Sequence, residues 1–142
     1  MRPFGLQPAV AAGITAAIVP TAHEDYLRLE CSGTFTQESA IDAYERAFTL
    51  AAEAGRPAVL VDIRAVTGRE PTLAERYQQA VRVADAQAAT KPRIRFALLG
   101  HEPMIHPERF GEIVARTRGA DGGVFTDEAQ ALGWLLGRNR EP

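Results

Sequence analysis

The apolar positions of the chain recur with two different periods, and each period predicts one kind of element. From Tyr26 to Ser32 every second residue is apolar, which is the pattern of a half-buried strand. The apolar stretch from Gly13 to Val19 predicts an earlier strand, joined to the second by a polar loop from Thr21 to Asp25. We therefore expect the sheet to begin with two strands that pair antiparallel.

The longest helical pattern follows these strands. Thr36 is a suitable N-cap and Gly55 a suitable C-terminal stop for a helix from Gln37 to Ala54. The residues at helical spacing that form its expected inward face are Ile41, Tyr44, Phe48 and Ala51 or Ala52.

A central strand and a second helix come next. The run from Ala58 to Ile63 is apolar except for Asp62, as expected for a strand covered on both faces. Thr72 and Glu75 then form a T-x-x-E capping box, which predicts a helix from Thr72 to about Ala89. The expected inward stripe of this helix is Tyr77, Ala80, Val81 and Ala84.

The remaining chain repeats the alternation of strand and helix. Ile94 to Leu99 predicts a strand, and Pro107 suits the first turn of a helix that begins at His106. The residues of that helix expected to face inward are Phe110, Ile113 and Val114.

The last strand and helix are the clearest unit of the pattern. Val124 and Phe125 form a short apolar strand, and Asp127 with Gln130 makes a D-x-x-Q variant of the capping box. In the helix that follows, Trp134 is expected to be largely buried against the sheet. The residues expected around it are Phe125, Leu98 and Leu132 or Leu135.

Strands that alternate with helices imply parallel crossovers, so the order predicts an α/β sandwich. We expect a mixed sheet of about five strands with an antiparallel edge strand, and about four helices on both sides of it. Residues 1–12 lack a clear period and are predicted to be an N-terminal arm, and residues 13–142 are predicted to form one domain.

Composition narrows the possible functions. The formal charge of −2 provides no basic field for nucleic acid, so a nucleic-acid partner is not expected. Cys31 is the single cysteine, so an intrachain disulfide is excluded. We expect its side chain to be a small buried hydrophobe. Arg2 before the apolar stretch Ala9 to Val19 resembles a weak signal peptide, but Gly13 and Thr15 interrupt that stretch, so a cytoplasmic location is expected.

No set of residues forms a catalytic motif. His101 and His106 are five positions apart, whereas the zinc motif H-E-x-x-H needs four, and Pro103 and Pro107 prevent one helix from carrying both. Asp62 is a conceivable general base, but hydrogen bonds to a turn or cap are the preferred explanation. The sequence therefore predicts no enzyme, no metal and no cofactor.

In order and spacing, five segments of the chain resemble the STAS fold (sulfate transporter and anti-sigma factor antagonist) in its stand-alone SpoIIAA-like form. The segments are Leu29–Thr36, Val59–Ile63, Ala97–Gly100, Arg118–Ala120 and Val124–Leu135. The resemblance implies a non-catalytic module that works through protein contacts, nucleotide-dependent phosphorylation or ligand binding, with a protein partner or a homodimer. True anti-sigma factor antagonists carry a phosphorylated Asp-Ser-Ser-Gly motif, where this chain has Gly68-Arg69-Glu70-Pro71-Thr72.

The absent serine leaves two functional hypotheses. The first is a regulatory module whose surface is the loop from Arg64 to Thr72 and the start of its helix. Thr72 is the residue that can replace the phosphorylated serine, but its role in the capping box is the preferred explanation for it. The candidate residues are Asp62, Arg64, Thr67, Arg69 and Thr72. The second, implied by similarity of the fold to CRAL-TRIO lipid carriers, is a binder of a small apolar ligand or lipid beside the alanine-rich run Ala80 to Ala89, without stable membrane insertion.

Overall fold

The computed structural model describes residues 17–137, which form five strands and four helices in one sheet assembly. The strands are β1 (Ala17–Ala22), β2 (Leu27–Thr34), β3 (Ala58–Thr67), β4 (Arg95–Leu99) and β5 (Gly122–Phe125). The helices are α1 (Gln37–Glu53), α2 (Leu73–Ala88), α3 (Phe110–Thr117) and α4 (Glu128–Leu135). Within the described part of the chain, no helix is long and apolar enough to cross a membrane.

The strands lie in the order in which they occur along the chain. β1 pairs antiparallel with β2, and β2 to β5 are all parallel. Successive crossovers that step in the same direction and share one hand place their helices on one face of the sheet. The predicted mixed sheet with an antiparallel edge strand is confirmed.

Each face of the sheet has its own hydrophobic core. On the first face, α1 and α2 pack against Val59, Val61 and Ile63 of β3. On the second face, α4 packs against Leu60 and its neighbours. The predicted arrangement of helices on both sides is therefore confirmed, and among residues 17–137 the helix on the second face lies over β3, β4 and β5.

Most predicted ends of elements are confirmed by their hydrogen bonds. Thr36 caps α1 by accepting from the backbone N–H of Ser39 at 3.1 Å, and Gly55 follows the helix with φ of 70°. Thr72 and Glu75 form the complete capping box of α2. Asp127 caps α4 by accepting from the N–H of Gln130 at 2.9 Å.

Two strands are longer than predicted. β1 continues to Ala22 through residues assigned to a loop, and Pro20 is tolerated there because an edge strand does not need its missing N–H. β3 continues beyond Ile63 to Thr67, paired with β2. Residues 13–16 of the predicted first strand and the predicted arm at residues 1–12 lie outside the described residues.

The predicted start of the third helix is wrong. Pro107 lies in a turn, and α3 begins only at Phe110. Arg109, between them, has a left-handed φ of 58°, so the turn at Pro107 cannot continue into the helix. The Arg109 guanidinium donates to the carbonyl of Val124, so a contact with distant chain holds this turn. Ile113, predicted to face inward, is 59% exposed.

The buried face of α2 differs by one residue from the predicted inward stripe at the start of the helix. Ala80 and Ala84 are buried as predicted, but Tyr77 is 50% exposed, and its neighbour Arg76 is buried in its place. Gln87 is also buried. Both polar side chains satisfy backbone groups of distant segments, which makes their burial possible.

Trp134 packs on the sheet less deeply than predicted. Its ring centroid is 5.6 Å from that of Phe125, and the Arg95 guanidinium lies 3.7 Å from the ring centroid. The side chain remains half-buried, since it lies at the rim of the second core. The predicted contact with Leu98 is wrong, because Leu98 points to the opposite face of β4.

Candidate functional site

A cavity of about 430 Å³ lies between the first face of the sheet and α1, α2 and α3. Its volume is within the range that small-molecule sites occupy. The large apolar side chains that line it include Phe35, Ile63, Phe96, Leu98, Met104 and Ile105. Apolar residues dominate the lining, so the cavity suits a small apolar molecule.

Small residues and a loosely packed helix create this space. Ala43 and Ala80 face the cavity from α1 and α2, and Gly122 faces it from β5. α3 contributes no buried residue to the core, although it packs against α2 and β5. The cavity exists because no large side chain projects from these positions.

Polar side chains also line the cavity, and three of them are buried: Cys31 from β2, Tyr44 from α1 and Arg76 from α2. Burial, together with the charge of Asp62, raises the pKa of Cys31 to about 12, so its thiol stays protonated at neutral pH. This state agrees with the predicted role of Cys31 as a buried hydrophobe.

A network of charges lies on the second face, on β2 and β3 and at the start of α4. Asp62 lies in the middle of β3, not at its end as predicted, and accepts from Arg28 at 2.7 Å and from Arg64 at 2.8 Å. Glu128, at the first position of α4, pairs with the same two arginines at 3.0 and 2.9 Å. Glu30 completes the network from β2, at 2.9 Å from Arg28.

The ion pairs of this network make the Asp62 carboxylate a poor proton acceptor. Burial opposes its ionisation, but hydrogen bonds from Arg64 and the charges of Arg64 and Arg28 outweigh burial and hold its pKa below the usual range. The hydrogen bonds and charge of Asp62 raise the pKa of Arg64 against the effect of burial. A carboxylate in this state is a structural ion-pair partner, and the arrangement does not suit a general base near neutral pH.

The segment before α2 carries a separate polar cluster. Arg69 pairs with Glu75 at 2.8 Å, and its guanidinium lies 5.1 Å from the ring centroid of Phe35. The hydrogen bond from Arg69, followed by that from the backbone of Thr72, lowers the pKa of Glu75 to about 2. Arg69 and Thr72 are therefore joined through one carboxylate at the solvent-exposed start of α2.

The structure divides the predicted candidates between two places. Asp62 and Arg64 belong to the charge network, and Arg69 and Thr72 belong to the cluster before α2. Thr67 is exposed at the end of β3 and contacts Gly33, with a hydroxyl-to-carbonyl distance of 3.4 Å. Because Arg64 and Thr67 are strand residues, the predicted loop from Arg64 to Thr72 is wrong, and the irregular segment is only residues 68–72.

The histidines do not gather around a nucleophile in the described structure. His23 stacks on Tyr26 with ring centroids 4.7 Å apart, and the His106 imidazole accepts from the N–H of Glu108 at 3.1 Å. Among residues 17–137, no three His, Cys, Asp or Glu side chains are grouped so that they could hold a metal ion.

Sequence reasoning missed the polar residues that matter most here. Helical spacing predicts Tyr44 on the inward face of α1, but this pattern gives no role to its hydroxyl. Arg76 carried a usable signal, since it lies four residues after Thr72 and four before Ala80, on the face that α2 buries. Arg28 and Glu128 gave no such signal in the sequence, because they come together with Asp62 in one network only in the tertiary structure.

Comparison with known proteins supports the fold. No protein-family model and no curated protein matches the sequence. The structure is similar to an anti-sigma factor antagonist from Mycobacterium paratuberculosis at 15% identity and a TM-score of 0.56, over 85% of this chain and 94% of that chain. It is also similar to an uncharacterised protein with a SpoIIAA-like fold from Shewanella loihica, at 23% identity and a TM-score of 0.47, over 84% and 93% of the two chains. The chain has the fold of an anti-sigma factor antagonist, so the predicted STAS-type fold is confirmed.

Proposed function

We propose that this protein is a non-catalytic regulatory module that holds a small apolar molecule in the cavity between the sheet and α1, α2 and α3. The cavity itself carries the proposal, because a close-packed domain does not keep about 430 Å³ of apolar space without a use for it. The anti-sigma factor antagonist fold supports a regulatory role by analogy.

The attachment of α3 supports a regulatory response to such a ligand. Side chains of α3 and its N-cap hold backbone groups of β5: Glu112 accepts from the N–H of Val124 at 3.2 Å, and Arg109 donates to the carbonyl of Val124. No buried apolar residue anchors the helix. A ligand below α3 would add the missing apolar contacts, so binding and the position of α3 are coupled.

Native mass spectrometry of the freshly purified protein tests the proposal. We expect a fraction of the wild-type protein to carry an apolar adduct, or to take one up from an added apolar probe such as dodecan-1-ol. Ala80→Phe, which places a ring in the cavity, should remain folded and bind neither. A bare wild-type mass, unchanged by the probe, contradicts the proposal.

The same substitution at two buried alanines reports whether the cavity is real. Ala51 is fully buried in α1 away from the cavity, and Ala80 is buried in α2 but lines it. Ala51→Leu should cost about 1–3 kcal/mol through overpacking. Ala80→Leu should cost less or stabilise, because the added carbons enter empty space. Urea denaturation of both variants measures the difference, and equal losses show that the space is not available.

A second candidate function is supported by a different observation. Leu73 and Tyr77 are 55% and 50% exposed, and they lie one turn apart at the start of α2. They adjoin Arg69 and Thr72, so an apolar pair and a charged cluster share one surface. Such a surface suits a protein partner, and we propose it as the place where the regulatory module makes contact.

Retention of a co-purifying protein tests this surface. We expect Arg69→Glu, Thr72→Glu or Tyr77→Ser to release a partner that wild-type protein retains, because each changes charge or apolar area at the contact. Asp85→Arg is the matched control, since Asp85 is exposed on the same helix but farther along it. If wild-type protein retains nothing, or if the control releases the partner equally, this candidate fails.

A further inference from the structure

The hydroxyl of Tyr44 is a buried polar group with an unusual environment. Tyr44 is only 6% exposed, lines the cavity, and packs edge-on against Phe96 with ring centroids 6.0 Å apart. Among residues 17–137, its hydroxyl has no hydrogen-bond partner. Since buried hydroxyls in native structures are nearly always paired, this one is available to a ligand.

Arg76 is a buried cation that lines the same cavity from α2. It is 7% exposed, and its guanidinium donates to the carbonyls of Met104 at 2.9 Å and Pro103 at 2.8 Å. No carboxylate within the described residues forms a salt bridge with it. Two of the five N–H groups of a guanidinium are thus used, and the charge is not neutralised by an ion pair.

The two groups act on the same region of the cavity. Burial raises the pKa of Tyr44 and the charge of Arg76 partly opposes this rise, so the guanidinium lies within electrostatic reach of the hydroxyl. Tyr44 therefore stays protonated and can donate a hydrogen bond, as Arg76 can. Two donors, one of them charged, inside an apolar cavity match an acceptor that carries a negative charge.

Of the other charged groups around the cavity, Glu38 is exposed, and the rest are paired or tied to backbone. Arg46 pairs with Asp42 at 3.3 Å, and Glu112 pairs with Arg116 at 3.6 Å. Arg109 donates to a backbone carbonyl of β5. Arg76 is therefore the lining cation that combines deep burial with the lack of a carboxylate partner in the described structure.

We propose that the ligand of this cavity is an amphipathic carboxylic acid whose carboxylate accepts hydrogen bonds from Tyr44 and Arg76, while its hydrocarbon body packs against Phe96, Ile63, Leu98 and Ile105. The proposal rests on the proposed function, since it names the class of molecule that the apolar cavity takes. It explains why a hydroxyl and a guanidinium are buried together among apolar side chains of the cavity wall.

Two probes of the same chain length separate the head group from the hydrocarbon body. Dodecanoate carries the carboxylate, and dodecan-1-ol does not. We expect wild-type protein to bind dodecanoate at least roughly tenfold more tightly at neutral pH, as charge-assisted hydrogen bonds would give. Displacement of an environment-sensitive dye from the cavity measures both affinities under identical conditions.

Two substitutions locate the preference. Tyr44→Phe and Arg76→Met should each weaken dodecanoate binding roughly tenfold while changing dodecan-1-ol binding little. Arg76→Lys, which keeps the charge, should retain part of the preference. Tyr77→Phe and Arg82→Met, which alter exposed residues of α2, are the matched controls and should bind both probes as wild-type protein does.

The thermal stability of the unliganded protein distinguishes a ligand-binding role from a structural one. Removal of a hydroxyl that lacks a partner should leave the melting temperature of Tyr44→Phe unchanged or higher, although the variant binds the acid less tightly. If neither probe binds to wild-type protein, the proposed function itself fails. If both probes bind equally, or if the two variants keep the wild-type preference for dodecanoate, the cavity holds apolar molecules but the assignment of the head group is wrong.

Discussion

Asp62→Ala should destabilise the protein by about 3–5 kcal/mol, because it leaves Arg28 buried without its closest partner. The Arg28 side chain is only 12% exposed, and its 2.7 Å contact with Asp62 is the shortest of its three ion pairs. Glu128 also contacts both arginines, but its side chain is more exposed than that of Asp62. Urea denaturation at neutral pH measures the loss.

Glu30→Ala is the matched control for this experiment. Glu30 contacts the same arginine at a similar distance, but its side chain is 56% exposed, so its removal should cost less than about 1 kcal/mol. Equal losses for the two variants would show that burial of Asp62 does not set the strength of the network.

The pH dependence of stability follows from the lowered pKa of Asp62. Its contribution is fully present above the unfolded-state pKa of about 3.9 and is lost as the pH falls through the lower folded-state pKa. The stability difference between wild-type protein and Asp62→Asn should therefore shrink below about pH 4. A difference that stays constant down to the acid transition would contradict the ion-pair explanation.

Gln87→Met should destabilise the protein by about 3 kcal/mol, although the side chain keeps nearly the same length. Gln87 is almost fully buried in α2, and its amide donates to the carbonyls of Ile94 and Asp121 at 2.8 Å each. Its carbonyl accepts from the N–H of Asp121 at 2.7 Å. Methionine leaves the carbonyl of Ile94 and the N–H of Asp121 without partners, at about 1–3 kcal/mol for each one that water does not reach. The carbonyl of Asp121 keeps the N–H of Phe96 as a partner at 3.3 Å.

Gln78→Met is the control, on the same helix and with an exposed side chain. Gln78 accepts only from the side chain of Gln37 at 2.9 Å, so its replacement should change stability by no more than about 0.5 kcal/mol. Chemical denaturation of both variants decides the matter. A neutral Gln87→Met would show that the starts of β4 and β5 do not depend on this bridge to α2.

The hydrophobic periods of the sequence are sufficient to predict the elements. They are not sufficient to predict which face of α2 is buried. A local pattern ranks Tyr77 above Arg76 as a buried residue, because it counts apolar surface and ignores partners. Arg76 is buried since the carbonyls of Pro103 and Met104 receive its N–H groups. Those carbonyls belong to a distant segment, so helical periodicity cannot reveal them.

The start of α3 was mispredicted for a similar reason. Pro107 suits the first turn of a helix, and nothing in its neighbourhood indicates that Arg109 adopts a left-handed conformation. A tertiary contact between the Arg109 guanidinium and β5 accompanies that conformation. Local rules describe what a segment tolerates, and contacts with distant chain select among the tolerated states.

The candidate site was predictable only in part. Asp62 and Arg64 are close in sequence and were chosen together, and the structure places them in one network. The cavity is a property of three helices and a sheet, so no single segment encodes it. Its clearest sequence signal is the alanine-rich run from Ala80 to Ala89, combined with a tyrosine and an arginine at buried helical positions.

Methyl NMR of protein titrated with dodecanoate tests most directly whether the cavity binds a ligand. The two cores provide an internal comparison, since Ile63, Leu98 and Ile105 line the cavity, whereas Leu60 and Leu99 lie on the opposite face of the sheet. We expect saturable shifts of the first group at stoichiometric ligand and little change in the second. Shifts confined to exposed residues, or spread equally over both cores, would contradict a ligand site between the sheet and α1, α2 and α3.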